Sequence, residues 1–162
     1  MADTVVHQIA PVADENSRVL ILGTMPSPKS REMGFYYGHP QNRFWPVLAD
    51  VFDEEVPQSA EERRNFALRY GIALWDVLAK CSIVGASDAS IKDPVPNDIA
   101  DLLTRYPNIK RIYTTGKTAL RFYEKLCSSQ TGVHAKSLPS PSSANARMRF
   151  EELVKAYSVI KE

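Results

Sequence analysis

The feature that most restricts how this chain can fold is a short unbroken apolar run, Val19, Leu20, Ile21 and Leu22, closed by Gly23. A strand half exposed to water alternates apolar and polar residues, whereas a strand buried on both faces does not. Such runs belong to parallel sheets covered by helices on each side. Gly23-Thr24-Met25-Pro26-Ser27 stops the strand and turns the chain. A polar loop follows, holding Phe35, Tyr36, Tyr37, Gly38, His39, Pro40 and Asn42, before a helix begins near Arg43. In an open parallel sheet, ligands bind just beyond the carboxyl ends of the strands. Two tyrosines, a histidine and an asparagine in one such loop suit a flat, polar ligand.

The rest of the chain repeats the alternation. Residues 1–17 carry Val5, Val6, Ile9 and Val12 and read as an extended arm on the domain edge. Helical spacing of Phe44, Val47, Leu48 and Val51 predicts a helix over 42–52, with Pro46 tolerated in its first turn. Ser59 followed by Glu61 and Glu62 predicts a capped helix to Tyr70, ended by Gly71. Residues 72–78 read as a short strand, and 80–96 as a loop over one side of the site. Asn97 is expected to cap a helix through Tyr106 that buries Ile99, Leu102 and Leu103. Residues 110–115 read as a strand turned by Gly116, 117–126 as a helix, and 136–138 as a last strand. A final helix is expected over 146–160, burying Phe150, Leu153, Val154 and Tyr157. This order predicts one α/β domain spanning 1–162, a three-layer α/β/α sandwich around a mostly parallel sheet of about four strands.

Composition excludes several classes. The 162 residues suffice for one domain with a real core, and 44% hydrophobic with 24% charged content is ordinary for a globular protein. No run approaches the roughly 18 apolar residues of a membrane span, and MADTVVHQIAPVADENS has neither the basic start nor the apolar centre of an export signal. Cys81 and Cys127 suggest no disulfide framework or cluster and are expected reduced and buried, which points to a cytoplasmic location. Net charge is only +1, yet from Lys110 to Arg149 eight basic residues face the single acid Glu124, so one basic surface is compatible with near-neutrality.

Three stretches, GTMPS, YYGHPQNRFW and LPSPSSANAR, meet at one end of such a sheet. Together they resemble the uracil-DNA glycosylase superfamily, most closely its mismatch-specific branch and, within it, the hypoxanthine-DNA (deoxyinosine) glycosylases. The similarity runs from about residue 18 to 157, and HPQNRFW is its most specific part. Independently, cutting the bond between a base and its sugar requires the nucleotide turned out of the stack into a pocket with an aromatic face. Tyr37 or Tyr36 supplies that face. The resemblance implies Tyr37, where mismatch-specific relatives put the aromatic that stacks on the base.

The resemblance also implies a departure. Many relatives hold the attacking water with an Asp or Asn just before the Pro of the first motif, where this chain has Met25, whose thioether cannot orient water. In the deoxyinosine branch the Asn of the HPxNRFW block is implicated instead, which corresponds to Asn42. Its amide oxygen can aim a water without being a strong base; it can equally cap the next helix. Met25 itself, His39, Thr24, Ser27 and Thr115 are the remaining base-binding candidates, and Thr115 departs from the Asn that some relatives carry there. Ser140, Ser142, Ser143, Ala144, Asn145 and Arg147 form the segment that in relatives enters the minor groove. Lys117 and Lys136 border the same basic face.

The resulting expectation is a monofunctional DNA glycosylase, a monomer acting on double-stranded DNA that holds a damaged or mismatched base. Hypoxanthine comes first, then uracil or G:U and G:T mismatches. No cofactor, metal or membrane is expected, and the protein would be nucleoid-associated when on DNA. A non-catalytic module that holds damaged DNA or a nucleotide is the alternative. An esterase built on Ser27 is a third reading, without a nearby His–Asp pairing in the sequence.

Overall fold

A computed structural model describes residues 2–162. The elements follow as β1 (Asp3–Val6), β2 (Val19–Gly23), α1 (Pro28–Met33), α2 (Phe44–Val51), α3 (Ala60–Arg69), β3 (Ile72–Asp76), β4 (Leu78–Val84), β5 (Ser87–Pro96), α4 (Ile99–Arg105), β6 (Arg111–Thr115), α5 (Lys117–Leu126), α6 (Ser128–Thr131), β7 (Ala135–Leu138) and α7 (Phe150–Tyr157), with a closing 3₁₀ turn over Ser158–Lys161. Four strands form a parallel sheet in the order β3-β2-β6-β7.

All five residues of β2 are buried, because it has a neighbour strand on each side and helices on each face. Its side chains alternate between two cores, as the pleat dictates. Val19 and Ile21 pack with Phe44, Trp45 and Leu48 of α2, Phe66 of α3, and Leu153 and Tyr157 of α7. Leu20 and Leu22 pack with Ile99 and Leu102 of α4 and with Ala119 and Tyr123 of α5. The α/β/α sandwich with a four-stranded parallel sheet is therefore the fold that the apolar runs announce. Both cysteines are free and buried, and burial pushes the Cys127 thiol up to about 11. Among the described residues no helix is long and apolar enough to cross a membrane.

Residues 80–96 are not a loop. They belong to the β4–β5 hairpin, turned at Gly85 (φ +56°), and β1 pairs antiparallel with the other edge of β4 to give a second sheet, β1-β4-β5. Leu78, Cys81 and Ile83 of β4 face the second core, but none of the ten residues of β5 is buried. An edge strand needs no inward apolar face, and its outer side tolerates Pro94 and Pro96; hence the absence of periodicity. The N-terminal arm is the strand β1 followed by an isolated bridge from Val12 to Leu74, with Val5 and Val12 buried and Val6 exposed.

Three further boundaries differ from expectation. The polar loop after β2 contains α1, with Pro28 in its first turn, the Ser27 hydroxyl accepting from the Ser30 N–H, and Gly34 left-handed at its end. Asp98, not Asn97, caps α4. Asn97 instead donates from Nδ2 to the carbonyls of Asp76 and Leu78, holding the turn from β3 into β4. The last α-helix is shorter, starting at Phe150 because residues 146–149 are still turning out of the preceding loop.

The burial pattern yields a contrast measurable by urea unfolding. Leu20→Ala, at a fully buried position, should cost about 2–5 kcal/mol. Val95→Ala, on the exposed side of β5, should stay within about 0.5 kcal/mol of the parent.

Candidate active site

The carboxyl ends of β2, β3 and β6 open into a cavity of about 150 Å³. The turn after β2 supplies Gly23, Thr24, Met25, Pro26 and Ser27, and the following loop supplies Tyr36, Tyr37 and Asn42. Asp76 comes from β3 and Thr115 from β6. Asp88 lines it from the hairpin, and Ser142 from the loop after β7.

The floor is set by a close approach of two strand ends. Gly23 and Asp76 are register partners in the parallel sheet. A Cβ on residue 23 would lie 2.4 Å from Asp76 Oδ1, 3.4 Å from the Tyr37 hydroxyl and 3.5 Å from Thr115 Oγ1. Only glycine leaves room for these three polar atoms to converge. Behind them, His7 Nε2 lies 2.8 Å from Asp76 Oδ2, with the two side chains 2% and 6% exposed. An ionised carboxylate only accepts, so His7 is the donor. Among the described residues Oδ1 has no hydrogen-bond partner.

Tyr37 takes a left-handed backbone (φ +53°), unusual for a bulky residue and typical of positions fixed by function. Phe44 stacks on one face of its ring, with centroids 3.8 Å apart and planes 16° from parallel, so only the other face is available to a ligand. Its hydroxyl pairs with Thr115 Oγ1 at 3.1 Å. Burial first, then the negative charge of Asp76, raise the phenol well above its ordinary range and keep it protonated. Tyr36 does something else. Its ring is buried, its hydroxyl donates to the carbonyls of Ile9 and Ala10, and its own carbonyl accepts from Trp45 Nε1. It ties the N-terminal arm to the core and has no hydroxyl proton to offer a base.

Asn42 Oδ1 accepts from the Phe44 N–H at 2.9 Å. That bond orients the carboxamide and occupies one lone pair, leaving the second lone pair and Nδ2 for the cavity. Met25 lines the cavity and packs against the second core. His39 is exposed outside it, its Nδ1 accepting from the Gln41 N–H. The Ser27 hydroxyl is committed to Ser30, and no histidine bonds it among the described residues, so the Ser27 esterase lacks its base.

The second loop is held by a residue whose role the sequence did not disclose. Arg43 donates from its backbone to the Pro141 carbonyl and from its guanidinium to those of Ser142, Asn145 and Met148. Asn145 Nδ2 bonds the Ser140 carbonyl, and Tyr157 anchors that of Pro139. Ser142 reaches the cavity, while Ser140, Ala144 and Asn145 line an adjoining cleft with Lys117. Ser143 and Arg147 are exposed, and Arg147 makes no hydrogen bond or ion pair among the described residues. Lys136 is exposed on β7, outside the lining of the cleft.

His7, Asp76 and Asp88 were also missed by the sequence reading. The one available signal was an acid ending an apolar strand, IALWD, where ligands of parallel sheets bind. Asp88 as a residue keeps solvent exposure, but its carboxylate turns inward, 3.5 Å from Thr24 Oγ1. Loss of water around it raises its pKa, as does Asp76, against opposing effects of Thr24 and Arg121. The folded chain therefore keeps this proton to higher pH than the unfolded one, and stability falls as pH rises through that window. Asp88→Asn should raise the thermal midpoint at pH 7 and leave it unchanged at about pH 3, where both side chains are neutral. Melting curves at the two pH values check this.

Comparison with known proteins identifies the family. The family model described as "Uracil DNA glycosylase superfamily" matches residues 10–161. A hypoxanthine DNA glycosylase of Methanosarcina acetivorans is 37% identical over 137 residues, 84% of this chain and 85% of the relative. One from Methanosarcina barkeri is 38% identical over 138 residues, 85% and 86% of the two chains. The solution NMR structure of a candidate uracil DNA glycosylase from M. acetivorans superposes with a TM-score of 0.80 at 31% identity, covering 96% of this chain and 98% of that one. The chain belongs to the uracil DNA glycosylase superfamily and is a DNA glycosylase.

Proposed function

We propose that this glycosylase removes hypoxanthine, and more slowly uracil, from double-stranded DNA by extruding the damaged nucleotide into the cavity at Gly23. Support comes from the cavity itself: a Tyr37 ring that lines it and is backed by Phe44, polar atoms converging at the floor, and an oriented carboxamide at Asn42. The relatives' names add the base.

In this reading the base stacks on Tyr37, and Asn42 uses its remaining lone pair to accept from a water near C1′. The C1′–N bond breaks with its electron pair leaving on the base, the water oxygen bonds to C1′, and the proton that water gives up neutralises the departing base anion. The amide cannot take the water's proton outright, so the base departs early and the sugar becomes cation-like. DNA phosphates stabilise that positive charge as it develops. Lys117 and Arg147 hold phosphates, while the segment from Ser140 to Arg147, made rigid by Arg43, fills the gap in the duplex. No lysine lines the cavity among the described residues, and the abasic product is left uncut. The protein acts as a monomer.

Duplexes carrying one hypoxanthine or one uracil, treated with alkali after incubation, should break at the lesion, faster for hypoxanthine. Intact strands for both bases would contradict the reading. Asn42→Ala should slow single-turnover excision by about 100-fold with duplex affinity unchanged; unaltered turnover would remove Asn42 from the reaction.

A further inference from the structure

We propose that Asp88, carried into the cavity by the β4–β5 hairpin, is the acid that gives a proton to the departing purine. This rests on the glycosylase reading above.

Asp88 sits where a carboxylate would ordinarily stay in water. It belongs to β5, an edge strand with none of its ten residues buried, and the residue itself keeps solvent exposure. Its carboxylate nevertheless turns inward and lines the cavity together with Ile83 and Ala86 of the same hairpin. The hydrogen bond it accepts from Thr24 Oγ1 is long, at 3.5 Å, and among the described residues no Lys, Arg or His forms an ion pair with it. Giving up water for so little compensation costs stability, and groups held at such a cost gather where they act on a ligand. Asp76 from β3, Arg121 from α5 and the Cys81 thiol from β4 are the charged or titratable groups within electrostatic reach of it. Loss of water, with Asp76, outweighs Thr24 and Arg121, so the carboxyl keeps its proton to higher pH than an ordinary aspartate.

Excision needs such a group. A purine that leaves as an anion departs slowly unless a proton reaches it as the bond to C1′ breaks. The Asn42 amide can aim a water but has no acidic proton. Burial first, then Asp76, holds the phenols of Tyr36 and Tyr37 far above their ordinary range. Of the residues lining the cavity, only Asp76 and Asp88 remain, and Asp76 has one oxygen tied to the buried His7 at 2.8 Å. Asp88 is the loosely held acid of the two.

Hypoxanthine carries lone pairs on N3 and N7. In the proposed step the carboxyl proton of Asp88 passes to one of them while the C1′–N9 bond breaks and its electron pair goes to the base. The base leaves neutral and the water oxygen bonds to C1′. The proton that water gives up returns Asp88 to its neutral form through solvent, so the sum is simple hydrolysis.

The test is single-turnover excision of hypoxanthine between about pH 5 and pH 9 by wild-type protein and by Asp88→Asn. Asparagine keeps the size and the hydrogen bonding but has no proton to transfer. It is also expected to stabilise the fold at neutral pH, so a slower variant is not an unfolded one. At the acid end wild-type excision should exceed that of Asp88→Asn by about 100-fold, with duplex affinity unchanged. The ratio should close as pH rises and Asp88 ionises, and Asp88→Glu should restore part of the rate and the slope. Duplexes carrying 3-deazahypoxanthine or 7-deazahypoxanthine identify the accepting nitrogen. One of the two should be released slowly by wild-type protein and lose no further rate in Asp88→Asn. Equal rates for the two proteins, a ratio that stays constant with pH, or an equal Asp88→Asn defect on hypoxanthine and both deaza bases would each overturn the proposal and leave the glycosylase reading standing. A wild-type protein that releases no base at all would overturn that reading, and this one with it.

Discussion

The cavity exists because two strand ends come closer than side chains normally permit. Gly23 and Asp76 sit opposite each other in the parallel ladder, and the carboxylate occupies the space where a Cβ would be. That contact needs a glycine on one strand, a short acid on the other, and something to hold the acid still. His7 and Asn97 do the holding, from opposite sides in sequence: one just after the first strand, the other from the turn that leads into α4. The charge so fixed is felt around it, raising the hydroxyl pKa values of Tyr36 and Tyr37 beyond what burial alone does. These groups are placed before any ligand arrives, which is the condition under which electrostatic stabilisation costs no reorganisation during reaction.

The walls are rigid for a related reason. Tyr37 is locked by Phe44 on one face, by Thr115 at its tip, and by a backbone conformation few bulky residues adopt. Ser30 ties α1 to the same loop by accepting the Gly38 N–H. Across the cavity, one guanidinium gathers three carbonyls of the loop after β7, so Asn42 and that loop are positioned by adjacent residues of a single helix start. Asn42 stands just before the cap residue Arg43, accepts from the Phe44 N–H at the start of α2 and also lines the cavity, the first contact aiming its amide for the second. Met25 brings only a thioether to the cavity, whose polar groups come from other segments, Asp76 of β3, Thr115 of β6 and Asn42 of the loop before α2.

Much of the fold was legible because its signals are local. The apolar run closed by Gly23 marks a strand buried on both faces, and the helical spacing in α2, α5 and α7 marks the layers over it. The hairpin was not legible: β5 buries nothing, so no period records it, and repeated register shifts break its pairing with β4. The site divides the same way. The loop carrying Tyr37 and Asn42 could be found from its crowd of unusual residues beside a strand end, as could the serine-rich loop. Asp76 ends an ordinary-looking strand and His7 lies in an arm that reads as trimming, so neither is conspicuous until the sheet brings them together. Tyr36 shows the converse, since its neighbour's role cannot be told from its own by composition. Which tyrosine faces the cavity is decided by the backbone at residue 37, and the sequence does not display it.

The central claim is that an extruded base is seated against Tyr37 over the Gly23 floor. It is tested most directly by the structure of the protein bound to a duplex containing 2′-fluoro-2′-deoxyinosine, whose glycosidic bond resists cleavage. The account predicts the hypoxanthine ring out of the helix and parallel to Tyr37 over the Gly23 floor, with the amide of Asn42 directed at C1′. A base still stacked in the duplex, or one seated elsewhere with Asn42 out of its reach, would contradict it.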